Sequence, residues 1–355
     1  MYPLKDGCYA PRDQWYVAAW SSEISRKPLE RWILNEPLVF YRTEEGKAVA
    51  LSGRCPHRGF PLAQGSLVGN DIECGYHGLA FRADGSCSRI PTQKAIPASC
   101  RLQAYPVVED WMWLWVWAGD PGLADPSLIP NHREILLTDP AFQNAGGNYF
   151  HVPGRYMLLH DNLLDLNHAP FLHRNTFGGD GGGAIQVPKV QGGEDMVECE
   201  FEQPELECPP FLSELFGYKG RVTRSYRSRF FAPCLHIIYD QTSKVDPKSG
   251  SVEPLGTILH IHAVTPATLH STHYFQGEGQ NFSLGEPSIS EAFRSSEMVK
   301  RALDEDVSAT RLIEEMIQRS GGSLSETLVR ADSAAVMGRR VIENLISAER
   351  PRVSA

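Results

Sequence analysis

Long hydrophobic runs are absent from this sequence. The longest uninterrupted apolar stretch, residues 111–118, is far shorter than the ~20 residues that a membrane-spanning helix needs. Residues 1–7 also lack the basic and then apolar pattern of an export signal. We therefore expect no membrane association and a location in the cytoplasm.

An excess of positive charge is absent as well. The chain has 34 Lys and Arg against 43 Asp and Glu, a net charge of −9, which argues against a nucleic-acid partner. A Gly-x-Gly-x-x-Gly motif after a strand and a Gly-Lys-Ser/Thr loop are both missing, so no nicotinamide, flavin or nucleotide site is evident.

The composition that remains is typical of a folded soluble protein. The 355 residues suffice for one large or two ordinary domains, and they are 42% hydrophobic and 22% charged. The eight cysteines are expected to be reduced, because no export signal accompanies them, and some are candidates for metal binding.

Short β-strands dominate the first third of the chain. Apolar runs flank turn residues from residue 14 to about 118, and Trp111–Trp117 places four tryptophans on one face of a strand that we expect in the core. Gly119–Gly122 then breaks the pattern. We predict an all-β domain over residues 14–120 and a second domain over residues 121–355.

The second domain mixes strands and helices. Strand-like stretches occur at 226–231, 235–239, 257–264 and 270–275, whereas residues 288–319 and 333–348 have helical spacing. The predicted class is therefore α+β, with an antiparallel sheet packed against helices in a helix-grip-like arrangement.

The most specific motif pairs cysteine with histidine twice. Cys55-Pro-His57 is followed after sixteen residues by Cys74-Gly-Tyr-His77, and both lie in loops between short strands. Two thiolates and two imidazoles are the ligands of a Rieske [2Fe–2S] cluster. A structural zinc site accepts the same set, although zinc motifs usually group Cys with Cys and His with His.

Together with three other segments, these motifs resemble a known family. Trp15–Ala18, Cys55–Arg58, Cys74–Leu79, Trp115–Pro121 and Arg339–Glu343 are similar to segments of the Rieske non-haem iron oxygenases, in particular the aromatic O-demethylases. The resemblance covers most of the chain.

The resemblance implies a second metal site. In this family, two histidines and one carboxylate hold a mononuclear iron, and the matching residues are His168, His173 and Asp306, with Asp304 as the alternative carboxylate. The two histidines lie ~140° apart on a regular helix. Pro170 between them predicts a distorted turn that brings the imidazoles together.

Two further residues near these histidines are candidates for catalysis. Asp165 shares a helix face with His168 and is expected to orient its imidazole. The resemblance also implies that Asp165 connects to the cluster histidine of a neighbouring subunit. Asn162, one turn earlier, is expected either near the iron or in simple packing.

The substrate pocket is expected on the strands of the second domain. His236 and His262 are the candidates to face the substrate, and His260 shares the face of His262 by alternation. A basic stretch from Arg221 to Arg229 is interpreted as a solvated sheet edge, with reductase docking or carboxylate capture as alternatives. Gly178–Gly183 is predicted to be a loop.

The resemblance implies an oxygenase component. It would hydroxylate a methyl group of a small aromatic with O2, most simply in oxidative O-demethylation of a methoxylated aromatic acid, as one subunit of a homotrimer. Electrons would come from NAD(P)H through a separate reductase, directly or through a ferredoxin. N-dealkylation, methyl or ring hydroxylation, a plain Rieske electron carrier and a zinc-stabilised binding module are the alternatives.

Overall fold

The computed structural model describes residues 9–176, 187–285, 288–322 and 325–349, so the Gly178–Gly183 loop prediction lies outside the described residues. Two compact units are present. One comprises Arg12–Ile129 and Thr265–Leu269, and the other comprises residues 9–11, Pro130–Val264 and the described residues from His270 onward. Within these ranges, none of the helices combines the length and apolar character that a membrane crossing requires.

The first unit contains only strands and short 3-10 turns, which confirms the predicted all-β domain. Its three antiparallel sheets have the orders β1-β11-β10, β2-β3-β4-β9 and β5-β6-β7-β8. The strands are β1 (Gln14–Trp20), β2 (Leu29–Ile33), β3 (Glu36–Arg42), β4 (Ala48–Ser52), β5 (Ser66–Val68), β6 (Asp71–Glu73), β7 (Ala80–Phe81), β8 (Cys87–Arg89), β9 (Ala104–Tyr105), β10 (Val107–Asp110) and β11 (Trp113–Ala118).

The tryptophan-rich strand is shorter than predicted. Trp113, Trp115 and Trp117 are at most 1% exposed and lie in the core of the first unit. Trp111 precedes the strand in a turn with a φ of 53°, because the chain reverses there between β10 and β11. Three tryptophans, not four, therefore belong to this strand.

A late segment of the sequence completes the first unit. The backbone N–H groups of Leu34 and Asn35 donate to the carbonyls of Pro266 and Ala267 at 3.0 and 2.9 Å. Thr265 Oγ1 donates to the carbonyl of Val17 at 2.7 Å. Contacts between residues so far apart in the sequence are not visible in local patterns. The boundary between residues 120 and 121 stays a prediction.

The second unit is built on one seven-stranded antiparallel sheet with the order β12-β18-β17-β16-β15-β14-β13. Its strands are β12 (Gln143–Val152), β13 (Lys189–Gly192), β14 (Met196–Glu207), β15 (Arg221–Phe231), β16 (Leu235–Val245), β17 (Val252–Thr268) and β18 (Ser271–Gln280). Its helices are α1 (Tyr156–Leu164), α2 (Ala169–Leu172), α3 (Pro210–Phe216), α4 (Ile289–Arg294), α5 (Glu297–Arg319) and α6 (Ser333–Ala348). The predicted α+β class is confirmed.

The helical region predicted at 288–319 is two helices. Ser296 begins α5, because its hydroxyl accepts a hydrogen bond from the backbone N–H of Val299 at 3.2 Å and caps the helix there. The buried residues of α5 recur at helical spacing: Val299, Ala302, Leu303, Asp306, Thr310, Glu314 and Ile317. This pattern places the Asp306 carboxylate on the buried face of the helix.

Candidate active site

Two loops of similar shape carry the Cys–His motifs. One follows β4 and the other lies between β6 and β7. Gly59 and Gly78 each donate a backbone hydrogen bond of 2.9 Å to the cysteine four residues earlier, and their φ values are 72° and 69°. Glycine adopts this left-handed conformation without a steric penalty. Each motif therefore forms a tight loop.

The four side chains divide into buried sulfurs and exposed rings. Cys55 and Cys74 are 2% exposed, whereas His57 and His77 are exposed and their ring centroids lie 4.6 Å apart. The backbone N–H groups of His57 and Arg58 donate to Cys55 Sγ, an arrangement that suits a thiolate ligand. This set fits a [2Fe–2S] cluster with two thiolates on one iron and two imidazoles on the other.

The second predicted ligand set also converges. The distance from His168 Nε2 to His173 Nε2 is 3.2 Å, and Asp306 Oδ1 lies 3.5 Å and 3.2 Å from these two atoms. Three ligands at mutual right angles and ~2.1 Å from one ion are about 3 Å apart. The triangle is therefore close to the facial arrangement that leaves other positions of an iron open.

The local chain geometry produces this convergence. Leu166–His168 form a 3-10 turn and α2 begins at Ala169, with Pro170 in its first turn. Proline is tolerated there because the first N–H groups of a helix have no partner within the helix. The change of helix type rotates the two imidazoles toward each other, as the distorted-turn prediction requires.

Hydrogen bonds at the Nδ1 atoms of the two histidines fix the direction in which their Nε2 atoms point. His173 Nδ1 lies 2.8 Å from Glu305 Oε2, and His168 Nδ1 lies 2.5 Å from the backbone carbonyl of Asp165. Both Nδ1 atoms face acceptors and donate to them, so each Nε2 faces Asp306 and is the ring atom available to a metal. Two ring nitrogens and a carboxylate oxygen that meet at one point fit a bound cation.

The charges of the two buried groups agree with this arrangement. Burial favours neutral forms of both, but the hydrogen bonds and charges between them dominate. The pKa of Asp306 is lowered by His173 and His168, and the pKa of His173 is raised by Asp306 and Glu305. Asp306 is therefore ionised, as a metal ligand must be.

The structure separates the two catalytic candidates. Asn162 Nδ2 donates to Asp306 Oδ1 at 2.9 Å, so it lies beside the proposed ligand. Within the chain, the Asp165 carboxylate does not orient His168. It accepts hydrogen bonds from Asn167 instead, because Asp165 ends α1 and its backbone carbonyl, not its side chain, reaches the imidazole.

A cavity of about 170 Å³ adjoins the three proposed ligands. Its walls come from helices α1 to α5, the Leu166–His168 turn and one face of the sheet. Most of the lining surface is apolar, for example at Leu166, Phe201, Ile258 and Leu303. A cavity of about 150 Å³ in another protein accommodates benzene. This one therefore has room for a single substituted ring.

The two candidate pocket histidines have different surroundings. His262 lines the cavity, and its Nδ1 lies 2.7 Å from Tyr274 Oη. His236 is not among the described residues that line it. It is fully buried, with its Nε2 2.6 Å from His160 Nδ1 and its ring stacked on Phe230, so the prediction for His236 is wrong. Helix α1 covers the end of β16 at which His236 lies.

A row of charged residues on the cavity floor was not predicted. Arg224 on β15 pairs with Asp240 on β16, and His260 on β17 pairs with Glu278 on β18. The basic stretch is thus not a sheet edge, because β15 lies between β14 and β16. Because side chains alternate along a strand, the position of the buried Phe230 would have indicated that Arg224 faces the same side of β15. The residues that Arg224 contacts on the neighbouring strands depend on the strand order, which the sequence does not show.

Comparison with known proteins gives a family match for each of two regions of the chain. Residues 14–106 match the Rieske [2Fe–2S] domain, and residues 152–348 match the C-terminal domain of vanillate O-demethylase oxygenase. The oxygenase component of dicamba O-demethylase from Stenotrophomonas maltophilia is 35% identical over 344 residues, which are 94% of this chain and 97% of the relative.

Solved structures agree with the sequence matches. Dicamba monooxygenase bound to 3,6-dichlorosalicylic acid superposes with a TM-score of 0.83 at 33% identity, covering 95% of this chain and 97% of that one. Its structure with non-heme iron and dicamba gives a TM-score of 0.76 at 32% identity and the same coverage. The zinc-module and plain electron-carrier alternatives do not account for these matches. The chain belongs to the Rieske non-haem iron oxygenases, as the oxygenase component of a multicomponent monooxygenase related to the dicamba and vanillate O-demethylases.

Proposed function

We propose that this oxygenase removes the methyl group of a methoxylated aromatic acid. The methyl carbon is hydroxylated with one oxygen atom of O2, and the other oxygen leaves as water with two electrons and two protons. The hydroxylated product then collapses to a phenol and formaldehyde. The observation that carries the proposal is the cavity for one ring beside His168, His173 and Asp306.

The relatives support the type of reaction. The similar chain from Stenotrophomonas maltophilia is named an O-demethylase, and the bound molecule in the related structure is an aromatic acid. N-Dealkylation, methyl hydroxylation and ring hydroxylation remain outcomes that a substrate panel separates.

The residues around the cavity have distinct tasks in this proposal. Iron held by His168, His173 and Asp306 would supply the activation of O2. Asn162 holds the Asp306 carboxylate by its hydrogen bond, and Glu305 holds the His173 ring. The apolar walls exclude water and orient the ring so that its methyl group faces the ligand triangle.

The electron supply and the assembly are part of the proposal. A separate reductase passes electrons from NAD(P)H to the cluster, directly or through a ferredoxin. Three copies form a ring in which the cluster of one subunit serves the iron of the next, with Asp165 between His77 of one subunit and His168 of its neighbour. The contacts of the Asp165 carboxylate to Asn167 both involve Oδ1, which leaves Oδ2 for such a bridge.

A panel of ring-substituted aromatics tests the reaction. The holoenzyme with a surrogate reductase is given methoxybenzoates, N-methylanilines and toluates, and formaldehyde and NADH consumption are measured. We expect one formaldehyde per NADH with at least one methoxybenzoate. Coupled turnover of only the toluates or N-methylanilines, with no formaldehyde from any methoxybenzoate, would contradict the proposal.

A further inference from the structure

The cavity floor carries four ionisable groups in one row across four strands. Arg224 Nη2 and Nε contact Asp240 at 2.5 and 3.3 Å, and His260 Nδ1 lies 3.0 Å from Glu278 Oε2. The two pairs contact each other, because His260 Nε2 lies 3.9 Å from Asp240 Oδ2. Arg224, Asp240 and Glu278 are at most 7% exposed. Burying so many charges is costly even when they are paired, so a charged row that lines a cavity is a candidate functional site.

Arg224 is held in a fixed orientation toward the cavity. Its guanidinium lies over the rings of Tyr226 and Phe211, at 4.9 and 5.6 Å from their centroids, and Asp240 contacts Nε and Nη2. The contacts that the structure gives this guanidinium leave Nη1 without a protein acceptor. A rigid guanidinium that lines the cavity and has a donor left over is suited to an anionic group.

We propose that Arg224 and His260 form the subsite that recognises the anionic substituent, a carboxylate or sulfonate, of the aromatic substrate. Asp240 acts as a positioning residue, because it lies between Arg224 and His260 and contacts both. The inference rests on the proposed function, and it names the part of the cavity that selects an acid over a neutral ring of the same size.

Glu278 lets the row accept another negative charge. It is 2% exposed, and burial outweighs the influence of His260 and raises its pKa. The groups that face it are His260 on β17, Asp240 beyond it and Gln276 on its own strand, while its partner on β12 is Ala145. Glu278 is therefore the member of the row that takes up a proton when an anion arrives.

Binding titrations with the holoenzyme, without O2 or reductase, test the subsite. The probes are 4-methoxybenzoate and the neutral 4-methoxybenzyl alcohol. We expect Arg224→Gln to weaken binding of the acid about tenfold to a hundredfold, the loss typical of a charged hydrogen bond, and to leave the alcohol nearly unchanged. The double variant R224Q/D240N removes both charges of the pair. It leaves no buried carboxylate without its arginine, so it still tests the subsite if the single variant fails to fold.

Arg227 provides the matched control. It lies on the same strand but faces the other side of the sheet, where it stacks on Tyr239. Arg227→Gln should keep the acid-to-alcohol ratio of the wild type. Equal ratios in the wild type, R227Q and the double variant would overturn the subsite.

Glu278→Gln provides a second readout. We expect the wild type to take up protons as the acid binds and the variant to take up none, measured by calorimetry in two buffers of different protonation enthalpy. Equal proton uptake in both would overturn the role of Glu278. If the ratios follow Arg224 but no methoxylated ring yields formaldehyde, the subsite stands and the proposed reaction fails.

Discussion

At the residue scale, the proposed iron site depends on groups behind the ligands as much as on the ligands. Glu305 fixes the tautomer of His173, and a backbone carbonyl does the same for His168. Thr176 Oγ1 donates to the same Glu305 oxygen at 3.2 Å and holds that carboxylate in place. Such outer contacts commonly determine metal affinity.

We predict that Glu305→Ala lowers the affinity for iron about tenfold to a hundredfold, the usual effect of losing such a partner. The cluster should remain, because its proposed ligands lie in the other unit. Iron per chain is measured after dialysis against a weak chelator. Glu315→Ala, at a side chain on the same helix that is 41% exposed, is the control. Equal iron retention in E305A and E315A would contradict the role of Glu305.

Iron uptake by the apoprotein should weaken as pH falls. The pKa of His173 is raised because Asp306 and Glu305 outweigh the effect of burial, and a protonated imidazole cannot bind metal. Uptake is therefore full above that raised pKa and lost below it. Glu305→Gln should move the transition to lower pH, measured by Fe(II) titration across pH. A transition at unchanged pH in E305Q would count against this coupling.

At the element scale, one buried ion pair ties the start of α1 to α5. Arg155 precedes α1, and its Nη2 donates to Glu314 Oε1 at 3.0 Å, with both side chains at most 4% exposed. His270 and Gln318 also contact Glu314 Oε1, at 2.8 and 2.9 Å. Helix α1 leads to His168 and His173, and α5 carries Asp306, so this pair supports the geometry of the proposed site.

We predict that Glu314→Gln destabilises the second unit by about 3–5 kcal/mol, because Arg155 is left buried without its counter-charge. Hydrogen bonds outweigh burial and lower the pKa of Glu314 to about 2. The stabilisation is therefore full above the unfolded pKa of about 4.3 and is lost as pH falls toward the lowered value. Urea unfolding at several pH values measures both effects. Glu297→Gln, at an exposed pair on the same helix, should change neither.

The sequence allowed prediction of groups that are local and failed for groups that depend on strand order. The proposed cluster ligands lie in two short motifs, and His168 and His173 lie five residues apart. Asp306 is remote in the sequence and was found only by family resemblance. Arg224, Asp240, His260 and Glu278 lie on four strands, and only the observed register brings them together. His236 was misassigned because alternation gives the face of a strand but not what covers each end of it.

At the scale of the whole molecule, electron transfer between subunits predicts complementation. A cluster variant, Cys55→Ser, and an iron-site variant, His168→Ala, should each be inactive. After subunit exchange, mixed oligomers should regain part of the activity, because an intact cluster then lies beside an intact iron site. Formaldehyde release from mixed oligomers of verified composition is the measurement. Inactive mixed oligomers would exclude transfer between subunits.

Iron content distinguishes most sharply whether one chain holds a Rieske cluster and a separate iron on His168, His173 and Asp306. We expect three irons per chain in the wild type. Asp306→Ala should hold two, with an unchanged Rieske electron paramagnetic resonance signal and no turnover, whereas Asp304→Ala should keep all three. Three irons and full activity in D306A, or their loss in D304A instead, would contradict the assignment of the carboxylate ligand.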